Sequence, residues 1–141
     1  MITLYHEIFD EFKNASTKAE RIEVLKKHGN ERFQDFLLMW FSDKYEFDVL
    51  IPTYKPSVEP EGMSFSTIHM EVPKLYRFVK NHPRSKNLKM DRKIKLLTIV
   101  LESLHPKEAQ ILKNLMLGHL DVPFLTKKLV KETFYELKAL L

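Results

Sequence analysis

Cysteine is absent from the 141 residues, which excludes disulfides and thiolate-ligated metals and fits a reducing cytoplasm. Glycine is scarce: three residues leave no material for a glycine-rich phosphate loop or for many tight hairpins. No apolar run approaches the roughly 20 residues of a membrane span, so no membrane partner is expected. The early acids Glu7, Asp10 and Glu11 do not suit a signal peptide. The six histidines (His6, His28, His69, His82, His105 and His119) show no metal-ligand spacing with one another or with acids. No Gly-x-Ser-x-Gly and no paired-carboxylate constellation can be placed. Lys89-Met90-Asp91-Arg92 departs from the Lys-x-Asp-Gly of covalent nucleotidyl transfer, because Arg92 stands for the glycine and the segment reads as helix. Nothing positive points to an enzyme, and no cofactor or metal is expected.

What is present is a globular composition, 44% hydrophobic and 11% aromatic, at the length of one domain, residues 1–141. The net charge of +4 is unevenly spread along the chain. Residues 1–73 hold 8 Lys and Arg against 13 Asp and Glu, a net −5, whereas residues 74–141 hold 15 against 6, a net +9. An acidic half followed by a basic half points to a polyanionic partner, unless the halves fold together and neutralise one another.

The periodicity is helical almost throughout, which predicts a mainly α bundle of about six to seven helices with one long extended, proline-rich connection. A first helix over Thr3 to Ala15 turns Leu4, Ile8, Phe9 and Phe12 inward. Thr17 with Glu20 forms a capping box for a second, which buries Ala19, Ile22 and Leu25 and stops at Gly29. Asn30 caps a third, whose Phe33, Phe36, Leu37, Trp40 and Phe41 mark a buried face. From Ser42 to Val72 three prolines break the helical pattern. Here the expectation is an extended pass through Tyr45, Phe47, Val49 and Ile51, a loop over Pro56 to Gly62, and a second extended segment through Phe65, Thr67 and His69. Pro73 then opens a fourth helix with Leu75, Tyr76 and Val79 inward.

In the last third, Met90, Ile94, Leu97, Leu101 and Leu104 form one helical stripe, with Lys86, Lys89 and Lys93 on another side. Ser103 or His105 caps the following helix, Pro106 suits its first position, Leu112, Leu115 and Met116 face inward, and Gly118 ends it. After a short crossing, Thr126 opens a last helix with Val130, Phe134, Leu137 and Leu141 on one side. Two basic clusters stand out as phosphate contacts. One is Arg84, Lys86, Lys89, Arg92 and Lys93; the other is Thr126, Lys127, Lys128 and Lys131, at a helix start with unpaired amides. The bland alternative for both is a solvated helix face.

The order of parts carries a likeness. It runs through Ser16-Thr17-Lys18, Glu23-Val24-Leu25-Lys26-Lys27, the aromatic third helix and the Tyr/Pro-rich pass. From Met90 to Val130 it continues through Ile111-Leu112-Lys113-Asn114-Leu115-Met116, the Leu120-Asp121 crossing and Lys127-Lys128-Leu129-Val130. In these features the chain resembles the N-terminal, all-helical DNA-binding domain of ATP-dependent DNA ligases, most closely the compact form of T-even bacteriophages. Where the ligases tend to place a glycine in the crossing, this chain has Pro123 and Phe124. The chain also resembles small proteins of tailed phages in Leu104-His105-Pro106 and in the run from Leu125 to Val130. The resemblance implies a grip on duplex DNA without sequence reading, with ligation chemistry left to other domains. The expectation is therefore a non-enzymatic, sequence-independent binder of double-stranded DNA, intact or nicked, of phage type and located in the host cytoplasm. The alternative is a small adaptor or inhibitor bound to a phage or host replication protein, through the acidic half or through Tyr54, Met63 and Phe65 as anchors.

Overall fold

A computed structural model describes residues 3–60 and 63–141. The described residues are mainly helical and contain no β-strand. Seven α-helices follow in order: α1 (Tyr5–Asn14), α2 (Lys18–Lys27), α3 (Glu31–Phe41), α4 (Ile68–Glu71), α5 (Met90–Ser103), α6 (Pro106–Leu117) and α7 (Lys127–Thr133). The 3-10 segments Val72–Phe78 and Tyr135–Leu137 follow α4 and α7. The chain divides into two compact units: a discontinuous one, Met1–Lys44 with Asp121–Leu141, and a continuous one, Tyr45–Leu120.

The discontinuous unit is organised by aromatic packing between α1 and α3. Tyr5, Phe12, Phe33 and Phe36 are all but fully buried. Tyr5 meets two of these rings edge-on, at centroid distances of 5.2 Å to Phe33 and 5.1 Å to Phe36. Such pairs add about 0.5–1.5 kcal/mol each to the burial of their area. Trp40 and Phe41, expected in the core, are half-buried and stack on each other at 4.3 Å. The caps form where the sequence places them: Thr17 Oγ1 accepts the Glu20 amide at 3.2 Å, and Asn30 Oδ1 accepts the Phe33 amide at 3.0 Å. The reciprocal arm of the first box is displaced by one residue, since the Glu20 carboxylate accepts from the Ser16 amide at 2.7 Å.

Three expectations for this unit need correction. Ala19 is exposed and Ile22 half-buried, so α2 contributes Leu25 alone to the core; Ala19 lies in the first turn between exposed Lys18 and Glu20. The α2 helix ends at Lys27 with His28 as its cap, so Gly29 is not a left-handed stop. A Cβ on Gly29 would lie 2.5 Å from the Phe134 ring and 2.8 Å from the Leu25 carbonyl oxygen, so glycine is needed there for close packing. Finally, α7 ends at Thr133, whose hydroxyl donates back to the Leu129 carbonyl at 2.8 Å. Phe134 leaves helical geometry, yet Val130, Phe134 and Leu137 are buried as their spacing predicted.

The continuous unit is built on the α5–α6 hairpin. Leu97, Leu101 and Leu104 are buried together with Ala109 and Leu112, as are Ile68, Val72, Leu75 and Phe78 from the preceding segment. His105 is the cap of α6, its Nδ1 accepting the Lys107 amide at 3.0 Å, and Gly118 closes that helix in the left-handed region at φ 72°. The long connection forms one antiparallel bridge, between Phe47 and Val79. It is flanked by hydrogen bonds from the Asp48 amide to the Phe78 carbonyl and from the Lys80 amide to the Glu46 carbonyl, each 2.7 Å.

The second extended segment is corrected: Thr67 caps a short helix that contains His69, its hydroxyl accepting the Met70 amide at 3.1 Å. The buried carboxylate of Glu108 accepts the Ile68 amide at 3.0 Å, which supplies a partner no local pattern reveals. The expected fourth helix is 3-10 from Val72 to Phe78. Of the expected loop, residues 61–62 lie outside the described residues.

Candidate nucleic-acid interface

The first basic cluster belongs to the continuous unit. That unit carries 12 Lys and Arg against 8 Asp and Glu, a net +4, whereas the discontinuous unit carries 11 of each. Chain order and folded unit therefore distribute charge differently, because the acidic stretch 45–73, net −4, folds into the same unit as residues 74–120, net +8, whereas residues 1–44, net −1, and 121–141, net +1, cancel in the other.

Lys86, Lys89 and Arg92 are exposed around the turn into α5, and among the described residues none has a carboxylate within ion-pair distance. Arg84 is exposed as well, with its guanidinium donating to the Pro73 carbonyl at 2.9 Å, which holds its charge on the loop beside them. Burial pushes the half-buried Arg77 guanidinium below its ordinary value; Glu71 opposes that, and Arg92 lies near enough to repel it. Like charges gathered in this way raise the local potential toward an anion.

Lys93 does not belong with them. Its side chain is 7% exposed, and its ammonium donates to the Asp48 carbonyl at 3.3 Å and lies 3.7 Å from the Asp48 carboxylate. The expected lysine stripe is not one helix face: α5 begins at Met90, so Lys86 lies in the turn before it, Lys89 is its cap, and only Lys93 is helical, where the chain at Asp48 covers it. The long apolar stem of lysine makes that burial tolerable.

A feature that sequence reasoning missed lies beside the basic loop. Tyr76 stacks on His82 with centroids 4.9 Å apart and meets Tyr45 edge-on at 6.0 Å. All three rings are half-buried. The cue available in the sequence was the interleaving of aromatic and basic residues from Tyr76 to Arg84, which the charge count passed over.

The second cluster lies in the discontinuous unit and is more compensated. Thr126 Oγ1 accepts the Leu129 amide at 3.2 Å, an ordinary cap. Lys127 reaches the exposed Asp43 carboxylate at 3.5 Å. Lys128 is exposed, and Lys131 half-buried. Nearby, Lys18 pairs with Glu132 at 2.6 Å, and that ammonium holds the Glu132 carboxyl below the usual range.

Phe124, just before α7, adopts φ 69°, a left-handed conformation that a bulky residue enters at a cost of about 1–3 kcal/mol. Phe124 is 65% exposed, and the Arg21 guanidinium carbon sits 3.9 Å from its ring centroid. Beside this pair is an open hollow of about 210 Å³, lined by Lys18, Arg21, Phe124, Thr126, Lys128 and Glu132 among others.

No group of three or more His, Asp or Glu side chains is placed to hold a metal ion among the described residues. No described helix is long and apolar enough to cross a membrane.

With this geometry in place, comparison with known proteins assigns the chain to a family. It belongs to a family of unknown function, DUF6433, whose model matches residues 8–121. The match takes in the whole continuous unit and stops before the Thr126–Lys131 cluster. No curated protein and no solved structure matches the chain.

Proposed function

We propose that the protein is a non-enzymatic binder of double-stranded DNA that holds backbone phosphates without reading sequence. The observation that carries this reading is the face of the continuous unit around Arg84, Lys86, Lys89 and Arg92, where exposed cations accumulate with no carboxylate within ion-pair distance among the described residues. Phosphate contacts of this kind fix position and leave sequence unread. The half-buried Tyr45, Tyr76 and His82 rings beside the loop add flat apolar surface of the sort that packs on sugars or bases. The likeness of the chain to the ligase DNA-binding domain supports the same polymer, and a phage source with it. Lys128 and Lys131 of the other unit supply further contacts.

The test is fluorescence anisotropy with a labelled duplex of about 30 base pairs, comparing the wild type with Lys86→Glu/Lys89→Glu/Arg92→Glu. Loss of affinity in a variant with unchanged circular dichroism is the expected result. Equal binding by both proteins would refute the assignment of this face.

A second reading has one observation in its favour. Val58, Met63 and Phe65 are exposed on the long connection, Phe65 by 78%. Exposed apolar side chains grouped on one segment suit a protein partner such as a replication protein. In that case Met63→Ser/Phe65→Ser abolishes capture of the partner, and the charge reversals above leave it intact.

A further inference from the structure

We propose that the hollow beside Phe124 receives an unpaired nucleobase with its phosphate, the base on the Phe124 ring and the phosphate against Arg21 and Lys128. The choice of ligand class rests on the nucleic-acid reading above, but the site is a separate one with its own chemistry.

Three observations converge. The first is the ring. Phe124 is held outward by a backbone conformation that costs free energy, and among the described residues no other aromatic ring contacts it. One face carries the Arg21 guanidinium at 3.9 Å, which fixes the ring by a cation–π contact and leaves the opposite face for a second planar group. Nucleobases stack on such rings regardless of identity, because every base has a π-face.

The second observation is charge. Glu132 is matched by Lys18 at 2.6 Å and Lys128 acts on the same carboxylate from farther off, so among the described residues Arg21 and Lys128 are the lining cations with no carboxylate within ion-pair distance. Arg21 Nε is buried and has no hydrogen-bond acceptor among the described residues, although a guanidinium N–H in that position calls for one. A phosphate oxygen supplies it in charge-assisted form once the Arg21 side chain shifts to uncover Nε, a movement the Nε–H signal reports.

The third is size and shape. At about 210 Å³ and open to solvent, the hollow is smaller than the roughly 300–1,000 Å³ of sites that enclose drug-sized ligands. That suits one planar group and an anion left partly in water. In an intact duplex every base is already stacked, so the polymer can offer such a base at a single-stranded overhang. A free nucleotide offers the same chemistry.

The experiment has two arms, both on the full chain. In the first, the Arg21 Nε–H signal is followed by nitrogen–proton NMR during titration with adenosine 5′-monophosphate and, separately, inorganic phosphate. In the second, anisotropy compares a blunt duplex with one bearing a three-nucleotide overhang, for the wild type and for Phe124→Gly. Glycine adopts φ 69° without strain, so this variant removes the ring and keeps the turn. Phe124→Leu serves as a control that keeps apolar bulk.

The nucleotide should shift Arg21 Nε–H well beyond phosphate alone. The overhang should be preferred by roughly tenfold, in line with one base–aromatic stack, and that preference should vanish in Phe124→Gly with blunt binding unchanged. A nucleotide shift without overhang preference supports the site and assigns it to free nucleotides. Equal shifts with phosphate and nucleotide would overturn the base-stacking part, as would an overhang preference that survives Phe124→Gly. Duplex binding with no nucleotide shift and no overhang preference overturns this inference and leaves the DNA reading standing. A nucleotide shift without binding to either duplex overturns the DNA reading and leaves the site.

Discussion

In the discontinuous unit, where Lys and Arg equal Asp and Glu at 11 each, Glu11 meets Lys27, Glu132 meets Lys18 and Asp43 meets Lys127. In the continuous unit, among the described residues, one lysine is met by a carboxylate, Lys93 by Asp48, and it is the lysine withdrawn from the surface. The difference teaches that charge counted along the chain and charge displayed by a folded unit are separate quantities. Of the net +9 of residues 74–141, +8 lies in residues 74–120 and is halved by the −4 of residues 45–73 in the same unit, and the +1 of residues 121–141 is cancelled by the −1 of residues 1–44. What remains uncompensated is concentrated from Arg84 to Arg92.

The largest effect that separates the units is expected for charge reversal. Lys86→Glu/Lys89→Glu/Arg92→Glu should weaken duplex binding roughly 100-fold near physiological salt and flatten the log-log salt slope by about 0.9 for each phosphate no longer neutralised. Lys127→Glu/Lys128→Glu should cost markedly less, because Lys127 already has a carboxylate partner. The reverse order would break the comparison.

Next in size is a stability effect confined to the discontinuous unit. Gly29→Ala forces a methyl group against the Phe134 ring and the Leu25 carbonyl, and should destabilise by about 1–3 kcal/mol. Trp40, the sole tryptophan, lies in this unit and reports its urea unfolding by fluorescence. An unchanged midpoint would mean that the packing at Gly29 gives way easily.

A smaller effect is expected for Lys93→Met. It removes a buried ammonium but leaves Asp48 with solvent access, so stability should change by no more than about 1 kcal/mol. Duplex affinity should stay within about twofold of wild type, since burial keeps the Lys93 ammonium from reaching a phosphate. A weakening equal to that of Lys89→Met would return Lys93 to the interface.

The smallest effect is in pH. The Lys27 ammonium holds the Glu11 carboxyl below the usual range, against partial burial, with His28 adding to the lowering. A carboxyl depressed in the folded state stabilises fully above the ordinary carboxylate range, and that contribution is lost as pH falls through the folded value. Desolvation raises Asp35, with Glu31 adding to it, which acts in the opposite sense. Thermal melts by Trp40 fluorescence should therefore show a slightly smaller loss on acidification for Glu11→Gln than for wild type.

Much of the fold was legible because helices announce themselves in period and caps. Thr17, Asn30, Pro106 and Gly118 mark boundaries by local chemistry, and the structure places helix ends at or beside each of them. What was not legible depends on partners distant in sequence. The helix at His69 draws on Glu108, forty residues from Ile68, for an amide partner. Gly29 is required by a ring at position 134. Lys93 is indistinguishable from Lys89 by spacing, and Asp48 alone separates them. At the candidate sites, the exposed lysines were visible as charge. The Arg21–Phe124 pair and the place of Tyr45 against Tyr76 were not, since each joins residues from separate stretches of chain, whereas the Tyr76–His82 stack had its cue in one short run.

The most direct measurement of the central claim is duplex affinity across a salt series, with intact and nicked DNA of about 30 base pairs. Neutralising about five phosphates predicts a log-log slope of roughly −4 to −5, the same for unrelated sequences. A slope near zero in a folded sample, or no binding at low salt, would contradict the account and turn attention to the exposed Met63 and Phe65 as a protein-docking segment.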